Sequence, residues 1–172
     1  INLKKVPKTK TEVMMNVGLP ENAFKLGQLP SAGVGLAREE FIISEHIGIH
    51  PLALVHYESL KAKKNDPMTL SELKKIDEIT KHYASTNKTQ YYVDKLAQGI
   101  AMIGAGFYPR PVIVRFSDFK SNEYKNLLGG KLFEPQEENP MIGWRGASRY
   151  YYKTFTPAFE LECKAIKKVR EE

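Results

Sequence analysis

The sequence predicts an α/β protein built from parallel β/α units, and three observations carry that expectation. Short runs of β-branched or small apolar residues, Thr11 to Val17, Gly33 to Ala37 and Val112 to Val114, alternate with longer stretches of helical period. Arg38 and Arg115 follow two of these runs directly, and Arg145 follows the apolar step Met141-Ile142-Gly143-Trp144. Strands that alternate with helices imply parallel pairing through helical crossovers, and such folds meet ligands at the carboxyl ends of their strands. About four units are expected. An open doubly wound sheet and a (β/α)8 barrel of the TIM type both begin this way.

The chain of 172 residues, 42% hydrophobic, is the size of one domain and can bury a real core. Its apolar runs, such as Gly99 to Gly106, fall short of the roughly 20 residues of a bilayer span, and no apolar block follows Lys4, Lys5, Lys8 and Lys10 as in a signal peptide. A soluble, cytoplasmic protein is expected, and the single Cys163 agrees with a reducing compartment. Because the first residue is Ile1, the chain is expected to begin inside a longer polypeptide. The net charge of +6 permits nucleic-acid binding, but the basic residues fall in short clusters among acids (Lys61/Lys63/Lys64, Lys74/Lys75, Lys164/Lys167/Lys168/Arg170). That is the pattern of solvated helix faces, so no nucleic acid and no membrane partner is expected.

In chain order, residues 1–10 read as a basic lead-in, and Thr11 to Val17 as the first strand. Pro20 and Glu21 suit a helix start, with Ala23 to Gly27 as a short helix. Gly33 to Ala37 is the second strand, ending in Arg38. Phe41 to Asn65 is helical with a break at Gly48-Ile49-His50-Pro51, since a residue before proline avoids helical angles. Thr69-Leu70-Ser71-Glu72 reads as a capping box opening a helix whose Leu70, Leu73, Ile76, Ile79 and Tyr83 share one face. After a break at Asn87 to Gln90, Val93, Leu96, Ala97, Ile100, Ile103 and Gly104 line a second face, with Gly106 as its C-terminal glycine. Val112 to Arg115 is a short buried strand, and Ser121 to Leu128 a helix closed by Gly129-Gly130. Glu134 to Pro140 is an acidic loop, and Ala147 to Tyr152 a helix. The last helix opens at Thr156-Pro157 and carries Phe155, Phe159, Cys163, Ile166 and Val169 on its apolar face.

Three arginines at one mouth repel one another, and planar guanidinium forks bind phosphate and carboxylate in bidentate fashion, so Arg38, Arg115 and Arg145 are the candidate anion site. The competing reading for each is a structural salt bridge, with Asp118, Glu39 and Glu40 as available partners. His46, His50, His56 and His82 lack zinc-site spacing and are expected to pack in the core or on the surface. Cys163 is expected in the core. Gly33-Val34-Gly35 is too short for a dinucleotide fingerprint, and no Walker-type sequence is present. Trp144 and Tyr150 to Tyr152 are expected to pack rather than to form a stacking platform.

Gly33-Val-Gly-Leu-Ala-Arg38-Glu-Glu-Phe41, Val112-Ile-Val-Arg115-Phe-Ser-Asp-Phe-Lys-Ser-Asn-Glu-Tyr124 and Glu138-Asn-Pro-Met-Ile-Gly-Trp-Arg145-Gly-Ala-Ser-Arg-Tyr150 resemble the C-terminal barrel of the phosphoenolpyruvate-utilising enzymes. The resemblance runs from Thr11 to Arg170, and the long match from Arg115 to Tyr124 favours the branch that makes phosphoenolpyruvate from ATP, pyruvate and water. It implies a Mg2+-dependent reaction through a phosphohistidine on a swivelling domain, with an ATP-grasp domain elsewhere in the parent chain. It implies that Arg38 and Arg115 bind pyruvate or phosphoenolpyruvate and that Arg145 helps hold the phosphoryl group. Asp118 and Glu123 are assigned the orienting of those arginines. The family's metal-binding acids and its proton-transfer cysteine lie on later strands, so no catalytic residue and no metal ligand is expected in residues 1–172. These residues are then one partial domain, the first half of the barrel, inactive by itself. Its open strand edges make a homo-oligomer possible. The alternative is an inactive binding or assembly module derived from the same barrel.

Overall fold

The computed structural model describes Pro7 and residues 9–62, 66–137 and 143–171. Three strands, β1 (Met15–Val17), β2 (Val34–Arg38) and β3 (Val112–Arg115), form a parallel sheet in the order β1-β2-β3. The helices are α1 (Ala23–Leu26), α2 (Glu39–Ile42), α3 (Pro51–Val55), α4 (Tyr57–Ala62), α5 (Pro67–Ile79), α6 (Lys88–Phe107), α7 (Ser121–Lys125), α8 (Ala147–Tyr150) and α9 (Thr156–Glu171). The α/β class and the parallel pairing agree with the sequence; a fourth β/α unit does not appear among the described residues. Gly143 to Arg145 is irregular there, while Met141 and Ile142, like residues 1–6, Lys8, the end of the Phe41 to Asn65 segment and Glu138 to Pro140, lie outside the described residues.

Strand β3 occupies the expected span, but it is not buried. Val112 and Val114 pack partly into the core while Ile113 stays 54% exposed, because among the described residues β3 pairs only with β2 and alternate side chains of a strand face opposite ways. The ladder of β1 covers only the end of the expected strand, and Val13 is exposed.

Helix α6 is the spine of the core. Its buried face carries Val93, Leu96, Ala97, Ile100 and Ile103, as the period predicts. Gly106 does not end the helix, which continues to Phe107. A Cβ there would lie 2.7 Å from the Ala23 carbonyl carbon, so Gly106 is the place where α1 crosses α6 backbone to backbone.

Two other helices are rotated from expectation. Helix α5 is capped by Asp66, whose carboxylate accepts from the amides of Met68 (3.4 Å) and Thr69 (3.0 Å), with Pro67 in the first turn. The Thr69/Glu72 capping box is therefore displaced: the Thr69 hydroxyl donates to Asp66. The buried row is Thr69, Leu73 and Ile76, leaving Leu70 and Ile79 exposed. On α9, Ala158, Leu161, Glu162 and Ala165 are buried and Cys163 is exposed, which corrects its placement in the core. The small alanines let α9 lie close along α6, and that turns the Phe159, Ile166, Val169 row half outward.

The core also holds ionic groups. Arg149 grips Glu134 with Nη1 at 2.6 Å and Nη2 at 2.8 Å, both side chains 1% exposed, and His50 meets the same carboxylate at 2.9 Å. His50 Nδ1 accepts from the Leu52 amide, so Nε2 carries the hydrogen toward Glu134. Burial pushes His50 below its ordinary range and keeps it neutral. For Glu134 burial acts upward, but the hydrogen bonds from His50 and Arg149 outweigh it and hold the carboxylate below its usual range. The guanidinium carbon lies 4.2, 4.5 and 4.8 Å from the ring centres of Trp144, Tyr124 and Phe155.

Candidate functional site

The carboxyl ends of β2 and β3 place two guanidiniums side by side, because Arg38 and Arg115 are cross-strand partners in the parallel register. Both open onto a cavity of about 540 Å³, and Arg145 reaches the same cavity from the loop before α8. The three arginines named by the sequence are thus brought together, although the third comes from a loop rather than a strand end.

Their partners differ. Arg145 binds Asp118 with Nε and Nη2, each at 2.8 Å, and Nη2 also donates to the Asp118 carbonyl at 2.9 Å. This grip holds the Asp118 carboxyl below its usual range and raises Arg145 in turn. Arg115 Nη2 meets Glu40 Oε1 at 2.5 Å, and its Nη1 lies 3.8 Å from Asp118. Arg38 makes no ion pair among the described residues; its guanidinium carbon sits 5.9 Å from the centre of the Phe41 ring. The structural salt bridge weighed from the sequence therefore exists for Arg115 with Glu40 and for Arg145 with Asp118; among the described residues Glu39 pairs with none of the three arginines, and Arg38 is uncommitted.

Asp118 lies between two of the arginines, bonded to Arg145 and 3.8 Å from Arg115. Glu123 lines the cavity, but its carboxylate accepts from the Lys120 amide at 2.7 Å and so caps α7. Glu40, which the sequence offered only as an available partner, is the acid bonded to Arg115. It also accepts from the Asp118 amide at 3.0 Å, and so ties the start of α2 to the loop after β3. Its signal was position: an acid two residues past a strand-end arginine falls in the first turn of the following helix. Phe41, Phe119 and Leu127 give the cavity an apolar wall, and Ser44 and Asn126 add polar groups that no pattern had marked.

Beneath this floor lies a buried pair of acids. Glu162 accepts from the Ser117 amide (3.1 Å) and hydroxyl (2.5 Å), and Glu39 is wholly buried beside it. Burial, then the charge of Glu162, drives Glu39 far above its usual range and favours its protonated form, and both of its carboxyl oxygens are buried without a hydrogen-bond partner among the described residues. Among the described residues no group of three or more His, Cys, Asp or Glu is placed to hold a metal ion. The cavity acids are engaged by Arg145, Arg115 and the Lys120 amide, and do not form a ligand set for Mg2+. No helix of the described residues is long and apolar enough to cross a membrane.

The structure is that of an α/β protein with a parallel sheet, arginines at its carboxyl edge and an apolar-walled cavity before them, the place where such folds meet their ligands. Residues 2–172 match the model of the PEP-utilising enzyme, PEP-binding domain, and the chain belongs to that family. It is 58% identical over 170 residues to a phosphoenolpyruvate synthase of Synechocystis sp., 50% over 206 residues to one of Aquifex aeolicus and 48% over 171 residues to one of Escherichia coli. Each match covers 99% of this chain but only 20%, 24% and 20% of those proteins, so the chain spans about a fifth to a quarter of their length.

Proposed function

We propose that this chain is the substrate-anion-binding segment of a phosphoenolpyruvate synthase, which converts ATP, pyruvate and water into phosphoenolpyruvate, AMP and phosphate through a phosphohistidine. The observation that carries the reading is the cross-strand pair Arg38 and Arg115 at the mouth of the cavity, with Arg38 uncommitted. In this reading Arg38 and Arg115 hold the carboxylate and phosphate oxygens, and Arg145 stabilises the phosphoryl group where its charge builds up. Phe41, Phe119 and Leu127 take the apolar carbon end of the substrate, and Asp118 and Glu40 fix the forks before the ligand arrives. The Mg2+ of the reaction, the phosphohistidine domain and the ATP-grasp domain are supplied by other parts of the parent protein, in the cytoplasm.

The test is Arg115→Ala in the full-length synthase, followed by phosphoenolpyruvate formation from pyruvate. A fall in kcat/KM for pyruvate of about a hundred-fold is expected, as for removal of one charged donor at a transferring group. An unchanged kcat/KM would sink the reading. Residues 1–172 by themselves are expected to form no phosphoenolpyruvate.

A further inference from the structure

We propose that Arg149, through its hold on the Trp144 carbonyl, is the positioning residue that aims Arg145 into the anion site; the inference rests on the function proposed above. The peptide that joins Trp144 to Arg145 is a rigid plane, so fixing the carbonyl at one end fixes the amide of Arg145 at the other. Arg149 donates to that carbonyl twice, from Nε at 3.1 Å and from Nη2 at 2.9 Å. On the far side of Arg145, its own carbonyl accepts from the Ser148 hydroxyl at 2.8 Å. The next residue, Gly146, has φ 61 and ψ −141, a backbone state that side chains disfavour, and it turns the chain sharply back into α8. Arg145 is therefore the crest of a narrow loop pinned at both shoulders.

The pin is rigid because its own fork is held from several sides. Glu134 takes Nη1 and Nη2, the Ser121 hydroxyl takes Nη2 at 3.2 Å, and His50 holds Glu134 from the other side. Three aromatic rings close around the guanidinium and exclude water. Lysine at this place retains the charge that Glu134 needs but cannot reach carboxylate and carbonyl together with a planar fork. A buried network built around one peptide bond explains why a residue that does not line the cavity sits four positions from one that does.

The experiment is a double-mutant cycle in the full-length synthase, with wild type, Arg145→Ala, Arg149→Lys and the double variant compared by kcat/KM for pyruvate. With Arg145 present, Arg149→Lys is expected to lower kcat/KM about ten-fold or more, as small misplacements of a substrate-holding group do. With Arg145→Ala already made, the same change is expected to cost less than about two-fold, since its effect acts through the residue removed. Equal losses in both backgrounds, or no loss in either, overturn the proposal. If Arg149→Lys loses its native circular dichroism, Glu134→Asp, which keeps the charge and draws the fork off the carbonyl, runs through the same cycle. Arg38→Ala and Arg115→Ala separate the two layers of inference. If both are silent the anion site fails and the positioning role with it; if they are impaired while Arg149→Lys is not, only the positioning role fails.

Discussion

Arg145 and Arg149, four residues apart, each grip a carboxylate with two nitrogens, yet the two pairs lie in different media. The Arg145 side chain is 33% exposed and its partner Asp118 26%, whereas Arg149 and Glu134 are both 1% exposed. Water screens the first pair, so its bond is weak in net terms and can be exchanged for a ligand oxygen at little cost. The second pair has no water to fall back on, and losing one member strands a buried charge. The same fork thus serves as an adjustable contact in one place and a fixed joint in the other.

The largest test of that contrast is stability. Arg149→Met is expected to cost about 3–5 kcal/mol in urea unfolding, and Arg145→Met less than about 1 kcal/mol. Comparable losses would erase the difference between the two regions. Next comes pH. Glu39 and Glu162 both titrate above the ordinary glutamate value of 4.5, Glu162 up to about 7, so the folded state holds protons that the unfolded chain has released. The contribution of Glu162 is full below about pH 4.5 and is lost as pH rises through about 7, and that of Glu39 is lost in the same direction. Glu39→Gln, which keeps the shape of the side chain but cannot ionise, is expected to flatten the melting-temperature profile between pH 5 and 8 relative to wild type. A profile unchanged by the substitution would show that the pair is not protonated in the folded state. Asp118 runs the other way: its carboxyl is held down by Arg145, so its share of stability is present above about pH 4 and lost on further acidification. The smallest effect is that of Cys163→Ser on the exposed side of α9, expected within about 0.5 kcal/mol, with the thiol open to a disulfide reagent in the native protein. A slow-reacting thiol would return Cys163 to the core.

The exchangeable region was the more legible of the two. Strand β3, its arginine and the face of α6 could be read because β-branched runs and large apolar residues at helical spacing have one physical use. The faces of α5 and α9 were misread for the same reason. Their buried rows run through Thr69, Ala158, Glu162 and Ala165, whose small size or hydrogen bonding suits close packing but leaves no apolar signature. The fixed joint was invisible. Glu134 looked like part of an acidic loop, and nothing marked Arg149, because partners fifteen residues apart meet only when the chain between them has folded. Counting three strand-end arginines also overstated the regularity, since Arg145 is delivered by a glycine-flanked loop and not by a fourth strand among the described residues.

The central claim is that the uncommitted Arg38 and its cross-strand neighbour Arg115 bind the substrate's charge. Calorimetric titration of the full-length synthase with phosphoenolpyruvate tests it most directly, on wild type, Arg38→Ala and Arg115→Ala. Saturable binding in the wild type that weakens about ten-fold or more in each variant is the expected result, the loss of one charge-assisted fork. Equal binding by all three proteins, or none by the wild type, would contradict it.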